Sequence, residues 1–167
     1  MTKNKIILIF VGVAVLIVVL FVVGKPGTAP AGADLSQAVA PGTLAAAESN
    51  FDFGAVSMAA GKVTHTFVVK NDSAAPQPLT RFYTSCMCTE ATLIQGGRRM
   101  GPVGMAGHSP VPNWNLTIAP GEEVQVEVTF DPAARGPAGI GAIAREVRLE
   151  SDTGTLLTLG ITANVTP

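Results

Sequence analysis

The stretch Val124-Gln125-Val126-Glu127-Val128-Thr129-Phe130 decides the fold class. Successive side chains of an extended chain point to opposite faces. Val124, Val126, Val128 and Phe130 therefore fall on one face and Gln125, Glu127 and Thr129 on the other, the pattern of a strand with one side on a core and one in water. Just before it, Ala119-Pro120-Gly121-Glu122 puts proline and glycine where a type II turn needs them. Working outward, the same alternation recurs. Val63, His65, Phe67 and Val69 oppose Thr64, Thr66 and Lys70; Val147 and Leu149 oppose Glu146, Arg148 and Glu150; Leu157, Leu159, Ile161, Ala163 and Val165 form a last inner row. Residues 51–56, 78–85 and 115–118 are shorter strand candidates, and Ala60-Gly61, Asn71-Asp72-Ser73, Asp131-Pro132 and Asp152-Thr153-Gly154 are turn signals between them. No segment past residue 50 carries a helical apolar stripe. The expected fold is all-β, an immunoglobulin-like antiparallel β-sandwich of about seven strands spanning 50–167. The antibody variant is excluded, because its cysteines sit on two different strands and the two here stand side by side.

The remaining chain sets the surroundings. Among 167 residues, 47% are hydrophobic and 14% charged, with 11 basic against 12 acidic side chains and a formal net charge of -1. That is too apolar for disorder and offers no cationic field, so no nucleic acid partner is expected. Two cysteines and two histidines exclude a zinc finger or ribbon built from four such ligands. Much of the positive mean hydropathy of +0.40 comes from Ile6 to Val23, apolar except for Gly12. At about 1.5 Å per residue this run reaches roughly 27 Å, close to the hydrocarbon thickness of a bilayer. Residues 1–24 are read as a transmembrane signal anchor, with Lys3 and Lys5 favouring a cytoplasmic N-terminus and an extracytoplasmic domain, periplasmic or extracellular. The rival reading is a cleaved signal peptide ending near Ala31-Gly32-Ala33, which exports the domain as well. Residues 25–49, rich in Ala, Pro and Gly, read as a semi-extended linker.

Five ordered blocks carry a family resemblance: Phe51-Asp52-Phe53-Gly54-Ala55-Val56; Gly61 to Phe67 with Lys70-Asn71; Thr84-Ser85-Cys86-Met87-Cys88-Thr89; Ile118-Ala119-Pro120-Gly121-Glu122; and Val128-Thr129-Phe130-Asp131-Pro132. Over about residues 50 to 165 the chain resembles the bacterial family known as domain of unknown function 1573 and, more distantly, Hydin-type immunoglobulin-like domains. The resemblance implies a small exported or envelope-associated β-sandwich with no established enzymatic activity. The chain departs from the family pattern in having Met87, where glycine usually stands between the cysteines. It also has a longer connection from Cys88 to the Ile118-Ala119-Pro120-Gly121 turn.

Both departures surround the chemically unusual region. If Cys86 and Cys88 lie in a strand, their sulfurs share a face and their Cα atoms are about 6.6 Å apart, so bonding them requires a kinked backbone. The alternatives are a reducible disulfide, a soft-metal ligand pair, a thiol-exchange pair and two inert thiols. Met87, Met100 and Met105 lie near the cysteines in sequence, and His108 follows Met105. Thiolate, thioether and imidazole suit Cu(I), for which Cys86, Cys88, Met87, Met105 and His108 are the candidate ligands; gap-filling is the simpler role of the methionines. Residues 95–114, with five glycines and three prolines, read as a long loop carrying Arg98, Arg99, Met100 and Trp114 as candidate binding residues. His65 reads as a hydrogen-bonded core histidine, Glu122, Glu123 and Glu127 as a solvated face.

Hydrolase elbows, phosphate-cradling glycine loops and His-Glu-x-x-His are missing from the sequence, so no catalysis is expected. The leading reading is a membrane-anchored extracytoplasmic module, held through residues 6–23, that binds another envelope protein or contributes structure. A Cu(I)-handling domain and a thiol-disulfide exchange protein are the alternatives.

Overall fold

The computed structural model describes residues 43–167. The expected anchor at 1–24 and most of the linker at 25–49 lie outside the described residues. Among the described residues no helix is long and apolar enough to cross a membrane.

The strands are β1 Ala45–Ala46, β2 Asn50–Ser57, β3 Val63–Lys70, β4 Gln77–Leu79, β5 Arg81–Thr84, β6 Thr89–Gln95, β7 Arg98–Val103, β8 Leu116–Ile118, β9 Glu123–Phe130, β10 Gly141–Ser151 and β11 Gly154–Thr166. Short 3-10 turns occupy Met58–Ala60 and Gly136–Gly139. One sheet has the order β1-β3-β9-β6-β7, the second β2-β11-β10-β5, and β4 pairs with β8 alone. The neighbours β3-β9-β6 and β5-β10-β11 reproduce the B-E-D and C-F-G pairings of an immunoglobulin sandwich. All pairs are antiparallel except β2 with β11, which run parallel.

The alternation read in Val124 to Phe130 is the centre of this arrangement. Val126 stands opposite Phe67 of β3 and Leu93 of β6, and all three are almost completely buried. Facing them from the second sheet are Phe82, Leu149 and Leu159, equally buried, in one continuous core. The Pro120-Gly121 turn forms as its sequence requires, with Gly121 at φ 75 and the Glu122 amide donating to the Ala119 carbonyl at 3.0 Å. Asp52 accepts from the Gly54 amide at 3.0 Å and from Thr162 Oγ1 at 3.0 Å, at the register shift between β2 and β11.

Three local readings differ from what forms. Residues 44–49, the end of the expected linker, join the sandwich: Leu44 is buried and β1 pairs with β3. Residues 78–85 divide into two strands that pair with different partners. The expected loop at 95–114 contains β7, because Gly96 and Gly97, both at positive φ, make the two-residue hairpin turn that joins it to β6. Pro102 is accommodated because β7 is an edge strand. Gly101 lies at the register shift opposite β6, where a Cβ would meet the Ala91 carbonyl oxygen at 2.9 Å.

His65 occupies the inward row at the end of β3, stacked on Phe51 at 3.6 Å, edge-on to Phe67 and bonded to Glu48 at 3.1 Å. It is half-buried rather than enclosed. Glu123 is exposed, as expected of a solvated face, but Glu122 and Glu127 are engaged. Glu122 accepts from Gln95 Nε2 and from the Ala119 amide, and Glu127 pairs with Arg99.

Candidate functional site

Cys86 and Cys88 are not in a strand. They occupy the first and third positions of a turn between β5 and β6, closed by the Thr89 amide donating to the Cys86 carbonyl at 3.1 Å. The turn brings their Cα atoms to 5.2 Å, within disulfide range, and the two sulfurs are bonded. Its conformation is imposed from several sides. The buried Thr84 hydroxyl donates to the carbonyls of Cys86 and Thr89, the Ser85 amide to Glu146, the Glu146 amide back to Ser85 Oγ, and the Asp131 amide to the Cys88 carbonyl.

Beside the turn is an open cavity of about 480 Å³, lined by Ser85, Cys86, Met87, Met105, His108, Arg135, Ala144 and Arg145. The segment bearing Met105 and His108 reaches it because the Thr84 amide donates to the Gly104 carbonyl and Thr84 bridges Met105. Of the residues singled out as copper ligands, Cys86, Met87, Met105 and His108 line this cavity. Cys88 does not line it, and Met87 is largely exposed. Met100 is elsewhere.

Arg145 was not recognisable as a site residue by any motif. It stands on the inward row of β10 with Ile143, Val147 and Leu149, and a charge on an apolar row was the available signal. Its Nε donates to Cys88 Sγ at 3.4 Å and its Nη1 to the Ala144 carbonyl at 2.7 Å. Burial, and after it the charge of Arg135, push Arg145 below the ordinary guanidinium range. Among the described residues neither guanidinium has a carboxylate within ion-pair distance. With the disulfide formed, the cavity presents no thiolate pair to a soft metal. The sulfurs are spent on each other, two guanidinium groups face the cavity, and no group of three or more His, Cys, Asp or Glu able to hold a metal occurs among the described residues.

A second concavity, of about 390 Å³, lies along the β7 edge and is lined by Arg98, Met100, Gly101, Pro102, Val103 and residues 112–116. It unites three of the four candidate binding residues: Arg98, Met100 and Trp114. Arg99 instead turns to the outer face of the sheet and pairs with Glu127. Trp114 packs edge-on to Phe82 at 6.0 Å, and its main-chain amide donates to the Thr80 carbonyl. Its indole Nε1 is buried and has no hydrogen-bond partner among the described residues.

A search of curated proteins found no match. Among solved structures, the chain is similar to a protein of unknown function from Porphyromonas gingivalis W83, at 15% identity and a TM-score of 0.51 over 74% of this chain. It spans 47% of that protein's length, and the likeness shows the fold alone. The secreted serine protease VesC from Vibrio cholerae matches at 14% identity and a TM-score of 0.47 over 74% of this chain and 24% of its own. A PapD-like domain of human CEP192 matches at 13% and 0.40 over 84% of this chain and 98% of its own. Residues 44–99, from β1 into β7 and holding the first three of the five blocks, match the family described as Protein of unknown function (DUF1573), so this half of the sandwich is similar to that family.

Proposed function

We propose that the chain is a membrane-anchored module whose sandwich lies outside the cytoplasm and binds a segment of another envelope protein in the groove along β7. The observation that carries the binding reading is Trp114 Nε1, a buried donor beside that groove with no partner among the described residues. A buried, unmade hydrogen bond costs about 1–3 kcal/mol, which an acceptor on a bound chain would recover. Met100, Pro102 and Leu116 supply apolar walls, and Arg98 a charge at the rim. Export is supported by the Cys86–Cys88 bond, since disulfides persist mainly in oxidising compartments, and by the apolar run at 6–23 with lysines before it.

Two measurements test the proposal. A reporter fused after Pro167 should be active only outside the cytoplasm, and activity inside would overturn the topology. A photo-crosslinking residue at Asn113 in the groove should trap a discrete partner that the same residue at Thr66, on the exposed face of β3, does not. Trp114→Phe, which keeps a ring but removes the N–H, should weaken that product. Identical patterns from both positions, or no product from Asn113, would overturn the groove.

A further inference from the structure

The groove leaves the cysteine turn unexplained. We propose that Cys86–Cys88 is a thiol-disulfide exchange site with a fixed polarity, in which an anionic thiol attacks Cys86 and Cys88 departs as a thiolate held by Arg145. This inference is independent of the groove.

Three observations support the polarity. The first is access: both cysteines are buried, at 6% and 4% exposure, but only Cys86 lines the cavity, so an incoming sulfur meets Cys86 first. The second is the leaving group. Exchange is faster when the departing sulfur has the lower pKa, and a neighbouring guanidinium lowers a thiol's pKa. Arg145 Nε already donates to Cys88 Sγ at 3.4 Å, while among the described residues Cys86 Sγ accepts only from the Cys88 amide, at 3.2 Å. The third is charge. Arg135 and Arg145 face the cavity, no carboxylate lines it, and neither has an ion-pair partner among the described residues. Such a cavity favours a substrate that carries negative charge close to its sulfur. The bond itself ties residues two apart, so it closes a minimal loop and contributes little to the fold; its loss costs the sandwich little.

The exchange balances without another reagent. The substrate thiolate forms a bond to Cys86 Sγ, the Cys86–Cys88 bond breaks, and its electron pair stays on Cys88 Sγ beside Arg145. A second substrate thiolate then attacks the substrate sulfur of the mixed disulfide. Cys86 leaves as a thiolate, the substrate becomes a disulfide, and the domain gains two electrons as a dithiol, which takes up protons from solvent. The anionic thiol has two possible sources, a small acidic thiol or a protein cysteine flanked by acidic residues.

The test uses the oxidised full chain in detergent. Glutathione and cysteamine, an anionic and a cationic thiol, are compared at equal thiolate concentration, with acid quench, alkylation and peptide mapping. Glutathione should react at least tenfold faster, with the first adduct on Cys86 and the free thiol on Cys88. Arg145→Gln should slow the reaction about tenfold, Arg145→Lys should recover part of the rate, and Arg135→Gln should reduce the preference for glutathione. In the reduced chain, thiolate absorbance against pH should show one cysteine titrating below its usual value, with Arg145→Gln shifting it upward. A cysteine peptide with acidic neighbours distinguishes the sources: if faster than glutathione it favours a protein substrate, if slower a small thiol, and either supports the site. Adducts on Cys88, equal rates for the two charges, no reaction, or an Arg145→Gln variant that folds and reacts unchanged would each overturn it.

Discussion

Val124 to Phe130 and Ser85 to Cys88 both place like residues two apart, and the spacing means opposite things in the two regions. In β9 it describes a straight strand. Every second residue points into the core, because the chain stays extended between two neighbours that satisfy its main-chain groups. At the cysteines the chain reverses, so spacing by two brings the Cα atoms to 5.2 Å instead of about 6.6 Å and permits a bond that a strand forbids. Periodicity describes side-chain direction only while the chain remains within one element. Where it turns, direction depends on contacts with distant segments, here 131 and 146.

The contrast separates a frame that stability depends on from a rim that it does not. It is broken most forcefully at Val126, which is fully buried against Phe67 and Leu93. Val126→Asp places an unpaired charge there, and the cost should remove most of the about 5–15 kcal/mol that holds a domain of this kind. Circular dichroism should show loss of the β signal, whereas Gln125→Asp, on the exposed side of the same strand, should unfold like the parent. Equal damage from both would contradict the assigned faces.

A smaller effect should come from Asn71, a polar tie within the frame. It is fully buried; its Nδ2 donates to the carbonyls of Ala75 and Ile118, and its Oδ1 accepts from the Ser73 amide and hydroxyl. Asn71→Ala removes the bond to the Ile118 carbonyl and should cost about 1–3 kcal/mol, read from the urea midpoint. A change under about 0.5 kcal/mol would show that the turn at 71–75 is not held this way.

The smallest effect tests the outer face of the second sheet. Tyr83 donates to Glu150 Oε1 at 2.6 Å, and that bond, followed by burial, raises its pKa above the usual 10.0. A raised folded pKa contributes stability that is fully present below the unfolded value and lost as pH rises through the folded one. As pH rises above about 10, the parent should therefore lose slightly more stability than Tyr83→Phe. Parallel curves would contradict the bond.

The long alternating rows of β3, β9, β10 and β11 were legible because each has one wet face. β6 carries no strand pattern in the sequence: Thr89, Ala91, Thr92 and Leu93 are all buried, which erases the alternation. β7 was hidden by Gly101 and Pro102, which a central strand excludes and an edge admits. The cysteines, Met105 and His108 were visible as residue types, but the bond between the cysteines depends on a turn without glycine or proline to announce it. The contact from Arg145 to Cys88 joins residues 57 apart in sequence, which no local pattern encodes.

The division between frame and rim is tested most directly by amide hydrogen exchange on the folded protein, with the Cys86–Cys88 bond intact and then reduced. A loop this short should lend only about 1–2 kcal/mol. After reduction, the amides of Phe67, Leu93, Val126 and Leu159 should therefore remain among the slowest to exchange, and acceleration beyond that margin should be confined to residues 84–89, 104–109 and 145–146. Collapse of protection throughout β3, β6 and β9 on reduction would contradict the division and make the cysteine bond part of the frame.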